Sequence, residues 1–181
     1  MQKMMKKIFA LLLAVMLVPA FALAETAEPV SVQVNDTLSI SVVVPDGYAF
    51  EESWYGDVLY AQVTPEEEDG LLMVLSMGYS EEYADRSIND LSDEELENLI
   101  AVSKEDFANP TETISQTSEG TKLIIVDENS EHDEYVEIYT VYDGYFIGLL
   151  LELAGDVQVS EEELDVAVKF LSDMQFHHTE E

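Results

Sequence analysis

Beyond about residue 30, apolar and polar residues alternate with a period of two through most of the chain, and twice the spacing lengthens to that of a helix. A period of two puts every second side chain on one face of a strand, whereas apolar residues three and four apart make a stripe along a helix. The clearest strand pattern is YVEIYTVYDGYFIGLLLEL, residues 135–153. Asp143-Gly144 between its two alternating runs predicts a type I′ turn, because both central residues of that turn need positive φ. A two-residue loop fixes the register. Tyr142 then faces Tyr145, Thr140 faces Ile147, Ile138 faces Leu149 and Val136 faces Leu151 on the predicted core side. The reverse side pairs Val141 with Phe146, Tyr139 with Gly148, Glu137 with Leu150 and Tyr135 with Glu152, a mixed surface suited to cover by a loop or helix. The Tyr139 ring is expected over the bare backbone of Gly148, and the whole hairpin at the centre of the sheet.

The same pattern places shorter strands before it. Val30, Val32 and Val34, then Leu38, Ile40, Val42 and Val44, predict two strands around the turn Asn35-Asp36-Thr37. Pro45-Asp46-Gly47 ends the second, since Pro presets φ and Gly permits its positive range. Residues 48–57 read as irregular; residues 58–64 and 71–77 read as strands joined by an acidic tip, and residues 80–89 allow a short helical turn. Ser92 and Glu95 form a capping box, Leu91 can staple onto Leu96, and Asp93 and Glu94 oppose the positive end of the helix dipole. The predicted buried stripe is Leu96, Leu99, Ile100, Ser103 and Phe107, and Asn109-Pro110 stops the helix. Strands follow at residues 112–117 and 122–127, with a second acidic tip over 127–134. Ser160 with Glu163 repeats the capping box before a last helix whose inward residues are Leu164, Ala167, Val168, Leu171 and Met174.

The first residues change the picture of where the chain goes. Lys3, Lys6 and Lys7 precede an apolar run over residues 8–18, Pro19 ends it, and Ala22-Leu23-Ala24 is a small-x-small cleavage signal. Residues 1–24 therefore read as a secretory signal peptide cleaved near Ala24, and residues 25–181 as a single exported domain. The run is too short to span a bilayer and no Cys follows it, so no stable membrane anchor is expected after cleavage. With 39 acidic against 7 basic residues, nucleic acid and anionic membranes are poor partners. The absence of Cys removes disulfides, thiol catalysis and cysteine-ligated metals. Such one-sided charge can signal disorder, but the aromatic and β-branched residues in periodic runs argue for a packed fold.

Candidate chemistry is sparse. Asp127, Glu128, Asn129, Glu131 and Asp133 supply the hard oxygens that calcium prefers, but without the spacing of an EF-hand loop; the competing reading is a solvated hairpin tip. His132 stands among carboxylates, whereas His177 and His178 lie in what reads as a frayed tail, so they compose no transition-metal site unless His132 meets the tail. There is no Gly-x-Ser-x-Gly elbow, phosphate loop or dinucleotide fingerprint. The aromatic segment holding Tyr48, Phe50, Trp54 and Tyr55 is the best candidate for a partner-binding surface, since Tyr and Trp are enriched where partners are gripped. Against it stands a core role, because the lone Trp of a domain is usually largely buried.

Strands, helix, strands, helix, with nearly every strand link short enough for a hairpin, predict an α+β fold: a twisted antiparallel sheet of about six to eight strands with helices packed on it. The strand that leads into Pro45-Asp46-Gly47-Tyr48, the aromatic segment, the Tyr-rich hairpin and the final Phe170-Leu171-Ser172-Asp173-Met174-Gln175-Phe176 resemble the PsbP-like fold. That group includes the lumenal extrinsic subunit of photosystem II and exported bacterial proteins of unknown role. The resemblance implies an α/β/α sandwich and a non-enzymatic binding or accessory role toward an unidentified protein or cell-surface partner, with no cofactor. Two other classes stay open: an acidic protein that binds divalent cations such as calcium, and a hydrolase using a carboxylate site.

Overall fold

The computed structural model describes residues 29–67, 70–105, 107, 109–117, 119–129, 134–153 and 159–178. The expected signal peptide lies outside them, as do Glu131, His132 and Asp133 of the second acidic tip. Two short strands come first, β1 (Val30–Gln33) and β2 (Leu38–Val42), then β3 (Tyr48–Tyr55), β4 (Val58–Pro65) and β5 (Leu72–Tyr79). Single 3-10 turns at Glu81–Tyr83 and Ile88–Asp90 lead into helix α1 (Asp93–Ser103). Strands β6 (Pro110–Gln116), β7 (Lys122–Asn129), β8 (Glu134–Tyr142) and β9 (Tyr145–Glu152) follow, and helix α2 (Glu161–Ser172) and strand β10 (Gln175–His178) close the described chain.

Seven strands form an antiparallel sheet in the order β3-β4-β5-β9-β8-β7-β6. The expected span of six to eight strands holds for this sheet, with β9 as its middle strand. The turn between β8 and β9 has positive φ at both central residues, 47° at Asp143 and 81° at Gly144, as a type I′ turn requires. Register follows: Tyr142 pairs with Tyr145, Ile138 with Leu149 and Val136 with Leu151. On the reverse side Tyr139 pairs with Gly148, and a Cβ on that glycine would stand 3.4 Å from the Tyr139 ring.

Each face of the hairpin is covered. Ile138, Ile147, Leu149 and Leu151 join a core with Ala167, Phe170 and Leu171 of α2 and with Val32, Ile40 and Val42 of β1 and β2. Val141, Ile124 and Val126 face the other way and pack with Leu96 and Leu99 of α1 and with Ile88 and Leu91. The two helices therefore lie on opposite faces of the sheet. Both begin as expected: Ser92 N donates to Glu95 Oε2 at 2.8 Å and Ser160 N to Glu163 Oε2 at 2.7 Å, with each serine hydroxyl accepting in return from the glutamate N–H. Phe170, absent from the expected stripe of α2, is its most buried large side chain.

Three expectations need correction. Residues 48–57 are not irregular, because β3 pairs with β4 over its full length from Tyr48–Pro65 to Tyr55–Val58. Gly56-Asp57 forms the hairpin loop with Gly56 at φ 62°, and a glycine first in a two-residue loop is itself a hairpin signal. The tail is not frayed through residue 178, because β10 pairs with β2, Phe176 opposite Ile40. Phe176 stacks on Tyr142 at 3.7 Å between ring centres, which gives this short strand an apolar hold. Finally, the first two strands do not join the large sheet. With β10 they make a second, three-stranded sheet in the order β1-β2-β10, packed on the same core as α2.

Candidate binding cleft

A cleft of about 780 Å³ opens at the end of the large sheet where β5, β9 and the β3–β4 hairpin meet the β1–β2 turn. Gln33, Val34 and Asn35 form one wall, Gly56, Asp57 and Val58 another, and Trp54, Tyr79 and Tyr145 supply aromatic rings. The β1–β2 wall is held from within. Asn35 Oδ1 accepts from the N–H groups of Thr37 and Leu38, each at 2.8 Å, so the side chain builds the turn it sits in. Its Nδ2 donates to the Tyr145 hydroxyl, which docks the small sheet onto the large one. Gln33 Nε2 donates to the Leu38 carbonyl at 3.2 Å and also to that of Asn35.

The rings are positioned by the sheet itself. Tyr79 and Tyr145 are cross-strand partners on β5 and β9, with centroids 5.3 Å apart and planes at 65°, an edge-to-face contact. The absent side chain of Gly144 makes room for Tyr79, whose ring would lie 2.7 Å from a Cβ placed there. Burial raises the Tyr145 phenol above its ordinary pKa, with the hydrogen bond from Asn35 opposing the shift. Trp54 shares the face of β3 that carries Tyr48 and Phe50, but those two pack against the core while Trp54 emerges at the margin, 43% exposed. Tyr79 is 54% exposed. The lining offers ring faces, two side-chain amides, two phenols and the Asp57 carboxylate.

The four aromatic residues expected to act together are divided by the strand. Tyr48 and Phe50 are half-buried against the core, Trp54 lines the cleft, and Tyr55 points to the opposite face, 51% exposed. Sequence reasoning missed Tyr79 and assigned Tyr145 to the core alone. The available signal was that Tyr79 ends a strand beside Gly78, where a large ring outlasts the cover of its neighbours. At the second acidic tip, β7 runs on through Asn129, so Asp127, Glu128 and Asn129 are strand residues rather than loop residues. Asp127 is half-buried with Oδ1 unpartnered among the described residues, and burial raises its pKa. No group of three or more His, Asp or Glu suited to a metal ion occurs among the described residues. His177 Nε2 lies 2.8 Å from Ser41 Oγ and His178 Nε2 lies 3.4 Å from Asp143 Oδ2, so the two tail histidines serve separate contacts.

No protein-family model matches the chain, and no curated protein or solved structure matches it significantly. The cleft therefore has to be read from its own chemistry.

Proposed function

We propose that this protein is an exported, non-enzymatic binding module of PsbP-like fold that holds a protein or cell-surface partner at the cleft of Trp54, Tyr79 and Tyr145. The observation that carries the proposal is the convergence of three rings on one cleft, with Trp54 and Tyr79 each about half exposed at the ends of ordered strands. Large rings held rigid and left open lose little entropy on contact and bury much apolar area, which is why they dominate binding hot spots. The leader-like first residues support export, and helices on opposite faces of an antiparallel sheet are consistent with the PsbP-like reading.

The test is a comparison of capture by the wild-type protein and by a Trp54→Ala/Tyr79→Ala double variant, using culture supernatant and cell-surface extract from the source cells. A partner retained by the first and lost by the second, at unchanged melting temperature, is the expected result. Equal retention by both would remove the cleft from the function. Recovery of the protein from the medium with its first 24 residues missing checks the export part independently.

A further inference from the structure

We infer that the cleft takes a cationic side chain, the guanidinium or ammonium of a basic segment in the partner; this rests on the reading of the cleft as the binding site. The first argument is what the cleft has left to offer. A neutral sugar needs donors and acceptors arrayed beside the stacking ring, yet both amide donors of Gln33 are spent within the β1–β2 turn and Asn35 Nδ2 gives one of its two to Tyr145. The Asn35 carbonyl oxygen is spent as well, on Thr37 and Leu38. Beyond the Trp54 indole N–H, the Tyr79 and Tyr145 hydroxyls and one Asn35 amide hydrogen, the lining keeps ring faces, the Gln33 Oε1 acceptor and the exposed Asp57 carboxylate. Ring faces and a carboxylate together suit a cation, which the ring quadrupole and the anion both attract.

The second argument is charge. Acidic residues outnumber basic ones 39 to 7, and none of the basic residues lines the cleft. Arg86 is engaged by Glu95, Lys104 by Glu112 and Lys169 by Asp173. With a strongly negative chain and Asp57 as the one charged side chain in the lining, the cleft favours a basic partner over an acidic one.

Trp54 is the only tryptophan in the chain, so its fluorescence reports on the cleft directly. The purified protein is titrated with the peptide Arg-Thr-Arg-Thr-Arg, with the same peptide carrying citrulline for arginine, and with a neutral chitooligosaccharide. The arginine peptide should shift Trp54 emission and bind about tenfold or more tightly than its citrulline counterpart, the order expected for a charged contact on an aromatic face. Asp57→Asn and Tyr79→Leu, both at exposed positions, should each weaken it about fivefold or more, and raised salt should weaken it further. If the oligosaccharide alone perturbs Trp54, the cation is wrong while the cleft remains a binding site. If the arginine peptide binds both variants as well as wild type, it is held by diffuse surface charge and the inference fails. If no probe changes the emission, the inference falls and the binding-cleft reading loses its support with it.

Discussion

Two hairpins of this sheet have nearly the same length and opposite fates. In β8–β9 the side chain of Leu149 lies between Ile138 on one neighbouring strand and Leu75 on the other, and is fully buried. In β3–β4 the residue Trp54 has Leu59 on one side and, among the described residues, no strand on the other. Both hairpins are rich in aromatic residues. What separates them is their place in the sheet: the middle strand turns its aromatics into packing, and the edge strand leaves some of them for contact. Tyr145 sits between the two regimes, with its ring buried and its hydroxyl tied to Asn35 at the wall of the cleft.

The comparison is broken most severely from the middle. Leu149→Ala should destabilise the fold by about 2–5 kcal/mol, the loss of transfer energy plus a cavity that rigid neighbours on both sides cannot close. The check is a lower denaturation midpoint with an unchanged slope. Next come the two turn glycines. Gly144→Ala places a methyl 2.7 Å from the Tyr79 ring and 3.1 Å from the Ala84 backbone, at φ 81°, so strain and overpacking add to about 2–4 kcal/mol. Gly56→Ala sits at φ 62° with nothing within 4 Å, so only the conformational cost remains, about 1–2 kcal/mol. Equal shifts for the two would mean that the crowding around Gly144 contributes nothing.

The helix covering the reverse face of β8–β9 gives a smaller, pH-dependent difference. Glu95 of α1 has its carboxyl held down to about 2 by the paired hydrogen bonds from Arg86, at 2.8 and 2.9 Å, and by the cap bonds from Ser92. The folded state then binds fewer protons than the unfolded one below the ordinary carboxylate range. The contribution is complete above the ordinary glutamate value of 4.5 and is lost as pH falls toward about 2. Glu95→Gln should therefore flatten the acid limb of the stability curve over that window and leave its slope near neutrality alone. An unchanged acid limb would show that the pair is already loose in solution.

How far the chain could be read without coordinates follows the same division. The central hairpin was legible to its register because Asp143-Gly144 and an uninterrupted alternation leave one solution. Both capping boxes were legible because the serine and glutamate that make them are local in sequence. The edge hairpin was obscured, since Glu51 and Glu52 interrupt its alternation where the strand faces solvent. Strand β10 was obscured for another reason. Gln175–His178 has little pattern of its own, and it is a strand because Phe176 finds Tyr142 and β2 in space. The cleft draws on β1, the β1–β2 turn, the β3–β4 hairpin, β5 and β9; no local pattern in the chain encodes their meeting, so of its three rings the sequence pointed to Trp54 alone.

The smallest expected change to the fold carries the sharpest contrast. Trp54→Ala removes a side chain that is 43% exposed and flanked by one strand, so it should lower stability by less than about 1 kcal/mol. Leu149→Ala, a smaller truncation, should cost several times more, and the denaturation midpoints of the two variants measure this ordering directly. An edge aromatic kept for packing would show the reverse, a midpoint shift approaching that of the core leucine. If Trp54→Ala instead leaves the midpoint close to wild type and abolishes partner capture, the ring is there to be touched. Position in the sheet then separates Trp54 from Leu149, while position along the strand matters as well: Tyr79 is exposed at the end of the interior strand β5, and Tyr48 and Phe50 of the edge strand pack against the core.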